Sequence, residues 1–147
     1  MEVKVNVKDR VLRPIADVFE AIINPEIISG YFISSASGRL KENETIIWSF
    51  SDVGGKMPVN VKKITDNELI SFEWAASGET ALVNIRLTAI DEQTTSIEIT
   101  EDGWLMEAAG VKKALGQTQG WTDFICSMKA YLYCGINLRK GRTKRSY

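Results

Sequence analysis

Carboxylates are the main acid–base groups available to this chain, because its 147 residues include no histidine. Histidine is the side chain that most often exchanges a proton near pH 7, so Ser-His-Asp and Cys-His arrangements are excluded. Glu101 falls in phase with Ile97 and Ile99 at the end of a predicted strand. We expect it to point at the mouth of an internal cavity. There it would act either as an acid or base, or as a hydrogen-bonding group that stabilises the following turn.

The two cysteines, Cys126 and Cys134, lie on one predicted helix. Their spacing places them about 12 Å apart along the axis, whereas a disulfide needs Cα atoms within about 7 Å. We expect two reduced thiols that pack inertly, in a reducing compartment. Two distant thiols and carboxylates are a poor zinc ligand set, and no glycine-rich phosphate loop is found. We therefore predict no metal and no cofactor.

Aromatic side chains are the stronger signal, because all four tryptophans fall on faces predicted to be inward. Each has a large apolar surface and an N–H that needs a partner. Core packing explains them, and so does the lining of an apolar pocket with a few polar anchors. Gln117, in the first turns of the long helix, is either such an anchor or a surface residue. The predicted ligand-binding residues are Phe32, Trp48, Phe50, Phe72, Trp74, Glu101, Trp104, Gln117, Trp121, Ile125 and Met128.

Hydrophobic periodicity predicts the elements that carry these side chains. Alternating valines indicate a strand near residues 3–8, and helical spacing after Pro14 indicates a short helix. Asn24-Pro25 begins a second short helix, which Gly30 ends. Period-two patterns separated by turns then predict an antiparallel meander. Its strands lie near residues 46–50, 59–61, 70–74, 81–89 and 97–99.

After Asp102-Gly103 the period becomes helical. The apolar stripe consists of Leu115, Trp121, Phe124, Ile125, Met128, Tyr131 and Leu132, and Gly135 is the predicted C-cap. Gly120 inside this helix predicts a close approach to the sheet. The resulting α+β architecture has six to seven curved antiparallel strands around the long C-terminal helix. Two short helices follow the first strand and close one end.

Several motifs support a family resemblance. They are PIADVF (14–19), NP (24–25), YF (31–32), WSF (48–50), ISFEW (70–74), IEITEDGW (97–104), GW (120–121) and KAYL (129–132). In order and spacing they resemble the START-like, or SRPBCC, helix-grip superfamily. More narrowly, they resemble the family named for the C-terminal domain of the heat-shock-protein-90 ATPase activators. The resemblance implies the helix-grip fold, which hosts transfer proteins, cyclases, hydrolases and co-chaperones.

Charge is distributed unevenly along the chain. The net charge is −1, yet residues 139–147 contain five basic residues and no acid. We predict a domain over residues 1–138 and a basic tail over 139–147, which is either solvated or bound to an anionic partner. The acidic body argues against nucleic-acid binding. The absence of a long apolar run or signal-like segment predicts a cytoplasmic protein without a membrane span.

Three functions are compatible with these observations. The leading hypothesis is a non-catalytic protein that binds a hydrophobic or amphipathic small molecule in a cavity between the sheet and the C-terminal helix. The first alternative is a stress-response protein-interaction domain, with a chaperone partner as for the heat-shock-protein-90 ATPase activators. The second is a cyclase- or hydrolase-like enzyme with Glu101 as its base.

Overall fold

Seven strands and three helices make up the fold in a computed structural model that describes residues 1–142. In chain order the elements are β1 (Glu2–Val11), α1 (Ile15–Ile23), α2 (Pro25–Ile28), β2 (Ser35–Ala36), β3 (Thr45–Phe50), β4 (Gly55–Thr65), β5 (Leu69–Trp74), β6 (Ala81–Asp91), β7 (Thr94–Leu105) and α3 (Ala108–Cys134). The predicted order of one strand, two short helices, a meander and a long helix is confirmed.

All seven strands belong to one antiparallel sheet in the order β1-β7-β6-β5-β4-β3-β2. From β3 to β7 each strand pairs with its chain neighbour, as short turns require. β1 joins the far side of β7, so the first and last strands are neighbours. Alternate residues of β6 and β7, such as Val83, Ile85, Ile97 and Ile99, are buried. The sheet therefore has one apolar face, which needs a cover.

The helix α3 supplies much of that cover and also packs against β1 and β7. Its buried side includes Trp121, Phe124, Ile125 and Met128. Gly135 adopts a left-handed conformation, with φ of 69°, and caps the helix as predicted. The α+β helix-grip architecture predicted from the sequence is thus confirmed.

The N-terminal part of the predicted α3 stripe is wrong. Leu115 is 67% exposed, whereas Ala114 is buried. Adjacent helical residues point about 100° apart. Because Ala114 occupies the inward position, Leu115 faces outward.

A bulge near the end of β7 allows two of its large side chains to face inward. Val5 pairs with Glu101 and Val3 with Trp104, so three steps on β7 match two on β1. Gly103 lies in the irregular stretch with φ of 125°, a conformation that side chains disfavour. The strand therefore continues to Leu105, beyond the Asp102-Gly103 position where the sequence predicts a change to helical period.

Close backbone approach occurs at Gly30 and not at Gly120. A Cβ built on Gly30 would overlap the Tyr131 ring, whereas one on Gly120 would meet nothing within 4 Å. The expectation that Gly120 touches the sheet is wrong, because its face of α3 borders open space. Gly30 instead joins the α2 region to the C-terminal half of α3.

No helix among residues 1–142 combines the length and the apolar composition that crossing a membrane requires.

Candidate functional site

A cluster of aromatic rings fills the space between α3 and the middle strands. Trp121 of α3 lies 5.3 Å from the Trp74 ring centre and 5.2 Å from that of Phe124. Phe32 packs edge-on against Phe124 at 4.8 Å and Trp48 at 5.8 Å. Such tilted and edge-to-face pairs are favourable geometries for aromatic rings. The cluster joins the loop after α2 to β3, β5 and α3.

Glu101 is the polar centre beneath this cluster. Its carboxylate is fully buried and accepts hydrogen bonds from the indole nitrogens of Trp74 at 2.8 Å and Trp121 at 2.7 Å. Gln117 donates its amide N–H to the same carboxylate, with distances of 3.0 and 3.3 Å to the two oxygens. Three donors from two elements thus converge on one side chain of β7. A buried carboxylate requires such partners.

This arrangement favours a structural role for Glu101 over a role as an acid or base. Both carboxylate oxygens already accept hydrogen bonds from the protein. To act as a base, Glu101 would have to exchange one of these bonds for a substrate proton. Its geometry instead makes it an acceptor that fixes two indole rings and one amide. Glu101 ties α3 to β5 and β7.

An open groove of about 1010 Å³ lies beside these rings. It runs between the middle of α3, the end of β5 and the connection from β3 to β4. Its residues are Phe32, Phe50, Val53, Met57, Trp74, Ala76, Gly116, Gln117, Gln119, Gly120, Trp121, Thr122, Asp123, Cys126, Arg139 and Arg142. The volume lies at the upper end of the range usual for small-molecule sites.

Five of the eleven predicted ligand-binding residues line this groove, namely Phe32, Phe50, Trp74, Gln117 and Trp121. The other six are buried away from its surface: Trp48, Phe72, Glu101, Trp104, Ile125 and Met128. All four tryptophans are buried as predicted, with exposures of 6% or less. Glu101 lies behind the lining rather than at a mouth, and Trp104 donates its indole N–H to Ser77 at 2.9 Å.

Sequence reasoning missed the lining residues that surround Gln117 on α3. Gly120 lies three residues after Gln117, and Gly116 and Asp123 lie one turn before and after Gly120. Gln119 lies three residues after Gly116 and four before Asp123. A step of three residues from Gln117 would have identified Gly120, and a second step of three or four residues from Gly120 would have identified Gly116 and Asp123. No such signal was available for the arginines, which reach the groove from the segment after α3.

Three ion pairs hold this C-terminal segment to the rim of the groove, because Arg139 also lies 3.9 Å from Asp123. Arg139 contacts Asp52 at 2.5 Å, and its guanidinium lies 5.6 Å from the Phe32 ring centre. Arg142 binds both oxygens of Asp123, at 2.9 and 3.1 Å. Because the Arg139 side chain is only 15% exposed, this part of the predicted tail packs on the body instead of extending into solvent. Residues 143–147 lie outside the described residues, and the division of the chain at residue 138 stays a prediction.

The electrostatics of the rim follow from these pairs. The hydrogen bond from Arg142 holds the pKa of the Asp123 carboxyl below its ordinary value. Burial opposes this lowering, while the positive charges of Arg142 and Arg139 add to it. Asp123 therefore remains a partner for both arginines until the solution is strongly acidic.

The cysteines lie differently from the sequence prediction. Cys126 and Cys134 are both free, so they do not pair, but both are exposed rather than packed inside. The reason is their face of α3, which points away from the buried stripe at Ile125 and Met128. Cys126 lines the groove. Within residues 1–142, no three cysteine or acidic side chains converge where they could hold a metal ion.

Comparison with known structures identifies similar folds. The protein SSP2350 from Staphylococcus saprophyticus is 31% identical with a TM-score of 0.81, covering 93% of this chain and 96% of that one. The Aha1 dimer from Colwellia psychrerythraea is 20% identical with a TM-score of 0.77, covering 90% and 98%. DynU16, from the dynemicin biosynthetic locus, is 20% identical with a TM-score of 0.79, covering 90% and 48%. The last two likenesses support the fold alone. None of the curated protein sequences matches this chain.

The sequence also matches a family model over residues 13–133, from the residue before Pro14 to the last turn of α3. This span contains six of the seven strands and all but the last residue of the long helix. The chain belongs to the family of Activator of Hsp90 ATPase homolog 1-like proteins.

Proposed function

We propose that this chain is a non-catalytic protein that binds a hydrophobic or amphipathic small molecule in the groove beside α3. The observation that carries the proposal is the groove itself, about 1010 Å³ in volume and lined by Phe32, Phe50, Trp74 and Trp121. Ligand sites are usually concave, mainly apolar and equipped with a few fixed polar groups. The groove has all three properties.

The rigidity of the aromatic wall supports this function. Trp74 and Trp121 are both anchored to Glu101 through their indole nitrogens. Their N–H groups point into the protein, so the small part of each ring that reaches the groove is apolar. A wall that is already ordered loses little conformational freedom when a ligand binds, and this strengthens binding.

The helix contributes empty space to the same groove. Gly116 and Gly120 lie on its surface, and a Cβ added to either would meet nothing within 4 Å. Glycine in the middle of a helix costs about 1 kcal/mol relative to alanine. The two glycines on one face of α3 thus reduce the stability of the helix. In return, their missing side chains leave space for a ligand in the groove.

Substitutions at Gly120 test this proposal. The probe is N-phenyl-1-naphthylamine, an uncharged dye whose fluorescence rises in apolar surroundings. We expect wild type and Gly120→Ala to bind it. Gly120→Leu should bind at least about tenfold more weakly, since leucine fills the groove and tenfold corresponds to about 1.4 kcal/mol. Both variants should keep the wild-type fold, because alanine and leucine favour helix.

Two results would end the proposal. The first is a wild-type protein that leaves the dye fluorescence unchanged across the solubility range of the dye. The second is Gly120→Leu binding as tightly as Gly120→Ala, which would place the dye elsewhere.

Family membership favours a second candidate, a protein-interaction domain related to the chaperone activators. It would use the outer sheet face or the basic C-terminal segment. Arg139 and Arg142 are already engaged with Asp52 and Asp123, so the outer face is the better surface. Measuring the ATPase rate of heat-shock protein 90 with and without this protein tests the candidate. A rate that does not change, together with no co-purification, would reject it.

A further inference from the structure

The orientation of the Gln117 amide determines which polar group the groove offers to a ligand. The amide nitrogen lies 3.0 and 3.3 Å from the two oxygens of Glu101. An amide turned the other way would place its oxygen against a carboxylate, and two acceptors repel each other. The indole nitrogens on the same carboxylate only donate, so they reinforce its role as an acceptor. The amide is therefore held in one orientation.

The carbonyl oxygen of Gln117 is the complementary end of this fixed amide. It accepts no hydrogen bond from any of the residues 1–142. Gln117 is half-buried and lines the groove. A ligand that covered this oxygen without donating to it would leave a desolvated acceptor without a partner, which is costly.

The other polar residues of the groove are engaged elsewhere or exposed. Asp123 pairs with Arg142, and Arg139 pairs with Asp52. Thr122 donates its hydroxyl to the Thr118 carbonyl at 2.8 Å. Gln119 is exposed to solvent, which can satisfy its amide. Gln117 thus differs from its neighbours in being half-buried, oriented and adjacent to the aromatic wall.

We propose that Gln117 selects ligands that carry an O–H or N–H donor on an aromatic ring system, such as phenols and related aromatic compounds. This inference rests on the proposed function and specifies the ligand class for the same groove. The ring would lie against the aromatic lining of the groove, in which Phe32 and Phe50 are the partly exposed rings, and its donor would meet the Gln117 carbonyl oxygen. Glu101 is the positioning residue, because it acts on the ligand only through Gln117.

The test compares two probes that differ in one hydrogen-bond donor. The probe 2-naphthol carries an O–H, and 2-methoxynaphthalene has the same rings but no donor. Their dissociation constants are measured by displacement of N-phenyl-1-naphthylamine in the wild type, Gln117→Met and the matched control Gln93→Met, an exposed glutamine in the turn between β6 and β7 that does not line the groove. A hydrogen bond of ordinary strength changes affinity by about 3- to 10-fold. We expect the preference for 2-naphthol to fall by that factor in Gln117→Met and to persist in Gln93→Met.

The inference would be overturned if wild type and Gln117→Met preferred 2-naphthol over 2-methoxynaphthalene to the same degree. It would also be overturned if the control variant lost this preference as much as Gln117→Met does. If both probes bind the wild type with no preference, the ligand class is wrong while the groove remains a binding site. If neither probe nor the dye binds, the proposed function itself fails and the inference fails with it.

A spectroscopic measurement on the wild type covers the case in which Gln117→Met does not fold. The side-chain amide resonances of Gln117 should shift more with saturating 2-naphthol than with saturating 2-methoxynaphthalene, because a bond to the carbonyl polarises the N–H groups. Equal shifts with both probes would contradict the inference.

Discussion

At the scale of single residues, Glu101 is the group on which the site depends. Its position in phase with Ile97 and Ile99 could be predicted from the sequence, since strand alternation determines which face a side chain takes. Its partners could not be predicted. They come from β5 and α3, and their convergence depends on how α3 crosses the sheet. The period of the sequence shows on which face of its own strand or helix a side chain lies, but it does not show which side chain of another element that residue contacts.

Neutralising Glu101 should destabilise the protein. Glu101→Gln keeps the shape but replaces one acceptor oxygen with a donor that faces an indole N–H. A buried donor without a partner costs about 1–3 kcal/mol, so we expect the free energy of unfolding to fall by about that amount. Urea denaturation measures it. Glu98→Gln on the same strand is the control and should change stability by less than about 1 kcal/mol. Equal effects of the two substitutions would contradict the role of Glu101.

Tyr31 should make stability depend on alkaline pH. Its side chain is fully buried, its hydroxyl donates to the Ala21 carbonyl at 2.8 Å, and burial raises its pKa well above the ordinary value of 10.0. Because the folded-state pKa is the higher one, the stabilisation is complete below pH 10 and is lost as the pH rises above it. Urea denaturation at pH 9 and 11 should show a smaller loss in Tyr31→Phe than in wild type. The same loss in both proteins would refute this assignment.

At the scale of elements, two glycines should respond in opposite ways to alanine. A Cβ at Gly30 would overlap the Tyr131 ring, whereas one at Gly120 has open space. We expect Gly30→Ala to destabilise the protein by about 1–3 kcal/mol through overpacking. Gly120→Ala should stabilise it by up to about 1 kcal/mol. Thermal and urea unfolding of both variants measure the difference. Gly120→Ala as the more damaging change would show that the helix lies closer to the sheet.

The C-terminal segment is held to α3 by an ion pair that acid should weaken. Arg142 lowers the pKa of Asp123 in the folded state below its ordinary value of 3.8. The stabilisation is therefore complete above about pH 4 and is lost as the pH falls through the lower folded-state pKa. The free energy of unfolding between pH 5 and 3 should decline less in Asp123→Asn than in wild type. Arg142→Gln should produce part of this change, because Arg139 still acts on Asp123, and combining it with Asp123→Asn should add nothing to the effect of Asp123→Asn alone. If the free energy of unfolding of Asp123→Asn fell with acid as much as that of wild type, the ion pair would be excluded as the source of the acid sensitivity.

At the scale of the whole molecule, the order and type of the elements could be predicted because each has a clear period. The strand β2 is only two residues long, which is too short to show an alternating pattern. The bulge in β7 interrupts the alternation, so the last residues of that strand could not be recognised from the sequence. Of the predicted ligand-binding residues, the groove is lined by Phe32, Phe50, Trp74, Gln117 and Trp121, and its role as a binding site stays a prediction. Arg139 and Arg142 were missed because their ion pairs depend on how the chain folds back after Gly135.

The most direct test of the central claim uses Cys126, which lines the groove, in a Cys134→Ser background that removes the other exposed thiol. The measurement is the rate at which iodoacetamide alkylates Cys126 at increasing concentrations of N-phenyl-1-naphthylamine. A ligand in the groove covers the thiol, so the rate should fall with the same midpoint as the dye fluorescence rises. An alkylation rate that stays constant while the dye binds would show that the binding site lies elsewhere.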